Sequence, residues 1–185
     1  MGFHTFPVDR ADKLDDPSRY RYCSREELVA ALSLDGEETV ADLGSGTGFY
    51  TDDVAPFADR TYAVDVQSAM HELYREKGVP ETVELVTAEI GDLPFEDGHL
   101  DAAFSTMTYH EYADEEALAE LARVLAPDGR LVTVDWRAGG DEEAGPPVAE
   151  RFSLDEAVDH HESAEFTVET ATERPETFLL VGRLG

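Results

Sequence analysis

Residues able to do chemistry gather at three points in this chain. The first is the stretch V-A-D-L-G-S-G-T-G-F-Y-T over 40–51, where an apolar run meets Gly44, Gly46 and Gly48. Glycines at such a corner permit positive φ and let a ligand approach the bare backbone. The first N–H groups of the helix that follows have no internal partners and can receive an anionic or polar group. Taken alone, the pattern is equally satisfied by a tight turn. The second point is Asp65, 21 positions after Gly44 at the end of another apolar run. A carboxylate there can accept from both hydroxyls of a ribose, although a helix N-cap uses the same residue type. The third is T-M-T-Y-H-E-Y over 106–112, which offers His110 as a base between Tyr109 and Glu111. Orienting a loop or capping a helix is the structural alternative for that histidine. Neither His110-Glu111 nor His160-His161 has an H-x-x-x-H or cysteine partner, so no metal is expected. His160 and His161 read as a solvated helix end.

These residues need a scaffold, and the apolar periodicity supplies one. Residues 1–23 are polar, with Pro7 and Pro17, and read as an irregular lead-in. Ser24-Arg25-Glu26-Glu27 is a capping box that opens an apolar helical face ending near Asp35-Gly36. Strands are expected at 39–43, 61–66, 82–87, 100–106 and 130–136, with helices at 49–57, 68–77 and 114–125 between them. A loop rich in Gly, Pro and acid follows over 137–150. Ser153-x-x-Glu156 is a second capping box, and two closing strands at 166–172 and 176–183 turn back on each other across Arg174-Pro175. Strands alternating with helices imply a Rossmann-like, doubly wound α/β fold with both faces of the sheet covered. The expectation is a mostly parallel seven-stranded sheet with an antiparallel C-terminal strand. The chain is read as one domain over 1–185: a lead-in and helix at 1–35, a ligand-binding core at 37–136, and an acceptor-side loop, helix and strands at 137–185. In such sheets ligands sit beyond the carboxyl ends of the strands at the switch point, which coincides with Gly44 to Gly48.

The composition narrows the partners. Asp and Glu number 42 against 14 Lys and Arg, a formal charge of −28 among 185 residues. The carboxylates are spread through core-forming segments rather than gathered in a tail. Self-repulsion on this scale destabilises a compact state, and molar salt, with a Debye length of about 3 Å, screens it. The composition resembles that of salt-in halophile proteins. No basic footprint for nucleic acid is present, since the longest cluster is Arg19, Arg21 and Arg25. No apolar run approaches the roughly 20 residues of a membrane span, and the N-terminus has no secretory h-region, so a cytoplasmic location is expected. A single cysteine, Cys23, excludes an internal disulfide and a cysteine metal cage.

Two ligand classes use such a glycine corner. The dinucleotide fingerprint G-x-G-x-x-G/A needs a small sixth residue, and counting from Gly44 that residue is Phe49. Asp65 suits either class. Four segments together decide between them: D-L-G-S-G-T-G, A-V-D-V-Q-S-A-M, A-E-I-G-D-L-P-F-E-D-G-H-L-D and L-A-R-V-L-A-P-D-G-R-L-V. In this order and spacing, over roughly 37–135, the chain resembles class I S-adenosylmethionine-dependent methyltransferases. It is closest to the small ubiquinone-biosynthesis-like, type 11 group. The resemblance implies S-adenosyl-L-methionine as cofactor. Asp42, Gly44, Ser45 and Gly46 would hold the methionine portion and its amino group. Asp65 would take the ribose, with Val66 and Met70 on the adenine. Glu89 would accept from the adenine amino group while the Ile90 N–H reaches the ring. Glu89 departs from the family's Asp, and Asp128 replaces a glycine in a turn that Asp tolerates. Ser105 would line the methionine side.

Methyl transfer from a sulfonium needs alignment and exclusion of water, and a base only if the acceptor must lose a proton. The 106–112 segment follows the fourth strand and faces the expected methyl, which makes His110 the base candidate. Trp136 and Asp135 end the fifth strand at the same rim, with core packing the default for Trp136. The lead-in, through Arg19, Tyr20 and Tyr22, is a candidate lid. The chain lacks the N/D-P-P-Y/F tetrapeptide of enzymes that methylate amino groups of adenine or glutamine amides, having Ser105-Thr106-Met107-Thr108 there. Short acceptor-side loops point to a small-molecule acceptor. A catalytically silent cofactor-binding module acting through a partner protein is the second reading. An NAD-type oxidoreductase is the third, and Phe49 counts against it.

Overall fold

A computed structural model of the protein describes residues 5–185. Its strands are β1 (Thr39–Leu43), β2 (Arg60–Asp65), β3 (Val83–Thr87), β4 (Leu100–Thr106), β5 (Leu125–Trp136), β6 (Phe166–Glu173) and β7 (Thr177–Leu184). They form one seven-stranded sheet in the order β3-β2-β1-β4-β5-β7-β6. The first five strands pair in parallel. β7 lies antiparallel between β5 and β6, so a single reversed strand closes the sheet. This is the Rossmann-like doubly wound arrangement. Strand order reverses between β1 and β4, and the glycine corner sits at that switch point.

Period-two alternation gives the sheet two buried faces. Val40, Phe104, Val132 and Val134 point to one side, where helices α1 (Arg25–Leu32) and α2 (Phe49–Val54) cover them with Leu28, Leu32, Tyr50 and Val54. Ala41, Leu43, Ala103 and Leu131 point to the other, beneath Leu118 and Leu121 of α5 (Glu115–Val124) and Ala157 of α6 (Leu154–Ser163). α3 (Ser68–Lys77) follows β2. Ser153 and Glu156 form a complete capping box for α6. At α1 only half of the expected box is made: Ser24 accepts from the Glu27 N–H, while the Glu27 side chain pairs with Arg174.

Three local expectations need correction. The lead-in is not irregular, because two 3-10 helices occupy Val8–Asp15 and Pro17–Arg21. Asp16 caps the second through the Ser18 N–H, and Pro17 suits its first position. A short helix, α4 (Tyr109–Tyr112), directly follows β4, where the sequence showed only a loop. One turn is too short to establish a 3.6-residue period. The third correction concerns His161, which is fully buried rather than solvated. Its Nε2 meets the Thr133 hydroxyl at 3.2 Å and its Nδ1 the Ala157 carbonyl at 2.8 Å. His160 is likewise engaged, with Nδ1 2.9 Å from the Tyr109 hydroxyl.

Candidate active site

A cavity of about 1000 Å³ opens at the carboxyl ends of β1, β2, β4 and β5. The glycine corner forms its floor. Gly44, Gly46 and Gly48 all have positive φ, and the N–H groups of Gly44 and Ser45 both donate to the Val64 carbonyl at 2.9 Å. At two of these positions space alone requires glycine. A Cβ on Gly44 would lie 2.3 Å from the Thr108 methyl, and one on Gly48 would lie 2.2 Å from the Tyr74 ring. Asp65 ties the corner to β2. One oxygen accepts from the Gly46 N–H and the other from the Gln67 N–H, both at 2.8 Å. Each oxygen keeps a lone pair for a further donor. Burial raises the pKa of this carboxyl, against the two backbone bonds that lower it.

The lead-in closes the cavity from above. The Thr47 hydroxyl donates to Asp15 at 3.0 Å, Lys77 pairs with Asp15 at 2.8 Å, and Gln67 Nε2 donates to the Phe6 carbonyl at 3.0 Å. Arg19 lies over the rings of Phe49 and Tyr50, 5.1 and 4.9 Å from their centroids, and donates to the Leu14 carbonyl at 2.7 Å. Among the described residues, Arg10, Lys13, Arg19 and Arg75 are the cations without a carboxylate partner within ion-pair distance; the other Lys and Arg side chains each have one. Three of those four line this cavity. In a chain with 42 carboxylates, that is where an incoming anion finds a vacant cation. Tyr20 turns away, its hydroxyl donating to Asp53 at 2.8 Å, while Tyr22 packs edge-on to Trp136 and faces the cavity.

Gly44, Ser45, Gly46, Asp65, Val66, Met70, Glu89, Ile90 and His110 all reach the cavity wall. Two residues assigned from the sequence do not. Asp42 is buried under the corner, where one oxygen accepts from the Thr51 hydroxyl at 2.6 Å and the other has no partner. Burial pushes its pKa up to about 7. Ser105 is fully buried, its hydroxyl also unpartnered among the described residues. Sequence reasoning missed Gln67, Arg10, Lys13 and the 144–147 loop as parts of the wall. The unpaired state of the cations was the findable signal, but it exists only once the fold pairs the others.

At the far end, α4 carries His110 and Glu111 into the cavity. Asp135, buried at the end of β5, accepts from the His110 backbone N–H at 2.7 Å and lies 3.0 Å from the ring Nδ1. Burial works against a charge on His110, but the Asp135 carboxylate outweighs it and raises the pKa. Glu111 is pushed up to about 7 by burial.

The model of the family described as "Methyltransferase domain" matches residues 41–133, half of the chain, which spans the glycine corner, Asp65 and His110. The chain belongs to that family. The chain is similar over 97% of its length to the whole of a SAM-dependent methyltransferase from Aquifex aeolicus, at 30% identity and a TM-score of 0.88. A methyltransferase-like protein of Schizosaccharomyces pombe is 30% identical over 138 residues, 74% of this chain and 53% of that protein. The Bacillus subtilis methyltransferase YcgJ is 34% identical over 138 residues, 72% of this chain and 50% of that one. The chain thus spans about half the length of these curated relatives. A geranyl diphosphate methyltransferase solved with SAM shares the fold at 18% identity and a TM-score of 0.77, over 96% of this chain and 90% of that one. S-Adenosyl-L-methionine is the cofactor of this class I, type 11 group. The residues present fit it: the backbone of the glycine corner, the Ser45 hydroxyl, unpartnered among the described residues, the open lone pairs of Asp65, and Arg19 with no carboxylate within ion-pair distance.

Proposed function

We propose that the methyltransferase transfers the methyl of S-adenosylmethionine to a small-molecule acceptor held between His110, Tyr22, Trp136 and the 144–147 loop. The observation that carries this reading is one cavity lined both by the glycine corner with Asp65 and by His110. Asp65 takes the ribose hydroxyls, and Val66, Met70 and Ile90 flank the adenine, with Glu89 toward its amino group. Ser45 and the backbone at Gly44 and Gly46 hold the methionine portion, and Asp42 supports that backbone from below. Arg19 takes the carboxylate. The bound cofactor supplies an activated methyl: the acceptor's lone pair forms the new bond, and the pair of the broken carbon–sulfur bond stays on sulfur. The protein's share is alignment and exclusion of water, under the lead-in and the 144–147 loop.

Residues 1–185 act in this reading as one unit, with 37–136 binding the cofactor and 137–185 shaping the acceptor end. Among the described residues no helix is long and apolar enough to cross a membrane. Calorimetry with S-adenosylhomocysteine, followed by S-adenosylmethionine consumption across a panel of small hydroxyl, amine and thiol compounds, tests the reading. Binding in the micromolar range with turnover on one class is expected. Absence of binding refutes it, and binding without turnover on any class favours the silent module.

A further inference from the structure

We propose that His110 takes a proton from the acceptor, that Asp135 is the residue positioning it, and that the acceptor is an uncharged hydroxyl compound with a flat apolar body. This rests on the methyl-transfer reading and deepens it. The argument begins with a buried carboxylate. Asp135 is fully buried, and its hydrogen-bond donors among the described residues are the backbone N–H and the ring of His110. Capping α4 would need the backbone bond alone. The ring bond, 3.0 Å from Nδ1 to either oxygen, does something further. It places the proton of neutral His110 on Nδ1 and leaves the lone pair on Nε2. Among the described residues Nε2 has no hydrogen-bond partner, and His110 lines the cavity. The pair therefore has the geometry of an oriented base, in which the carboxylate also stabilises the imidazolium once formed.

The surroundings select the acceptor. The charged groups that act on the His110 ring are acidic: Asp135 from β5, Glu111 from α4 with an oxygen 4.0 Å from Nε2, and Glu150 from the turn Val148–Glu150, while Arg10, Lys13 and Arg19 line the same cavity without being among them. They favour a positive charge on the ring and repel an anionic acceptor. The cavity is also lined by Tyr22, Met107, Trp136, Pro146 and Pro147, which are flat or apolar. A planar ring fits such a slot. Reactivity then separates the nucleophiles. A thiol has a pKa near 8.5 and ionises largely unaided, and a neutral amine already presents its lone pair. A hydroxyl is a poor nucleophile until its proton leaves, so it is the group for which an oriented base lowers the barrier. The O–H proton passes to Nε2, the freed pair on oxygen bonds the methyl carbon, and the imidazolium later returns its proton to water.

The test pairs a spectroscopic readout with a chemical one. Nitrogen NMR of the imidazoles in the S-adenosylhomocysteine complex should show His110 as the Nδ1–H tautomer, and Asp135→Asn should abolish that preference. Catechol, benzylamine, thiophenol and benzoate are then offered with S-adenosylmethionine, and the products read by mass spectrometry. Catechol should be methylated on oxygen. Asp135→Asn should lower kcat by about 10²–10⁴, by analogy with other oriented histidine bases. The KM for S-adenosylmethionine should change less than about threefold, and the alkaline-activated limb of the pH–rate profile should move toward acid as the carboxylate's support is lost. His110→Gln should lose turnover while keeping S-adenosylhomocysteine affinity, which reports an intact fold if Asp135→Asn does not express. Methylation of benzylamine, thiophenol or benzoate without catechol, methylation on carbon, or no turnover of catechol would overturn the acceptor assignment. An unchanged tautomer and pH profile in Asp135→Asn would overturn the pair. Failure to bind S-adenosylhomocysteine would instead strike the underlying reading.

Discussion

Replacing Arg19 with methionine removes one charge and keeps most of the apolar stem that lies on Phe49 and Tyr50. Arg19 is largely withdrawn from water, and that burial lowers its pKa against the more distant Asp42 and Asp15, yet no carboxylate lies within ion-pair distance of it. In the reading above, the methionine carboxylate of the cofactor does. A hydrogen bond to a charged partner is worth about 1.5–3 kcal/mol. At about 1.4 kcal/mol per decade, affinity for S-adenosylhomocysteine should therefore fall roughly 10- to 150-fold. The variant also gives up two ring contacts worth about 0.5–2 kcal/mol each and the 2.7 Å bond to the Leu14 carbonyl, so the lead-in will loosen somewhat. 5′-Methylthioadenosine separates the two effects, because it shares the adenosine and sulfur but has no amino-acid carboxylate. Calorimetry on both ligands should show S-adenosylhomocysteine weakened by the full amount and methylthioadenosine by much less. Equal weakening of both would mean that Arg19 only holds the cover down. No weakening of either would remove the carboxylate assignment.

Asp65→Ala should weaken S-adenosylhomocysteine binding by roughly 1–3 kcal/mol through loss of a charged acceptor; an unchanged calorimetric Kd would place the ribose elsewhere. Gly48→Ala combines a left-handed backbone with a Cβ 2.2 Å from the Tyr74 ring, so denaturant unfolding should show a loss of about 2–5 kcal/mol, and a loss under 1 would contradict the packing. For His161, burial lowers the pKa to about 4, so the fold holds it neutral while the unfolded chain protonates near 6.5. Its contribution is present above pH 6.5 and is lost as pH falls toward 4, up to about 3 kcal/mol. The stability difference between the protein and His161→Asn, measured by chemical unfolding, should shrink over that range; a constant difference would refute it. With a charge of −28, Tm should rise by many degrees between 0.1 and 2 M KCl, and a flat profile would end the halophilic interpretation.

Where the polypeptide signals itself locally, the sequence was a good guide. β1 and α3 carry caps, glycines or period-two runs at their ends, and their bounds were legible to the residue. The cofactor corner was legible for the same reason, since Gly44, Gly46 and Gly48 are demanded by backbone conformation and close approach. Features built by long-range contact were not. His161 looked like a polar helix end because nothing local shows that Thr133, 28 residues away, waits to bond it. Ser105 sits on the strand that reaches the site, but the packing of the fold buries it away from the cavity wall. The meeting of His110 with Asp135 depends on the parallel register of β4 and β5 and on a four-residue helix too short to announce itself.

The C-terminal hairpin has a consequence for how the cleft opens. Arg174, at its turn, donates to the Tyr22 carbonyl at 2.8 Å and pairs with Glu27, and the Thr177 hydroxyl donates to the same carbonyl at 3.3 Å. The last strands thus anchor the root of the lead-in at Tyr22. If the lead-in lifts when the cofactor exchanges, its pivot is a carbonyl held from 152 residues away. Arg174→Ala should then speed S-adenosylhomocysteine dissociation in stopped-flow while leaving the glycine corner intact, and an unchanged rate would rule that pivot out.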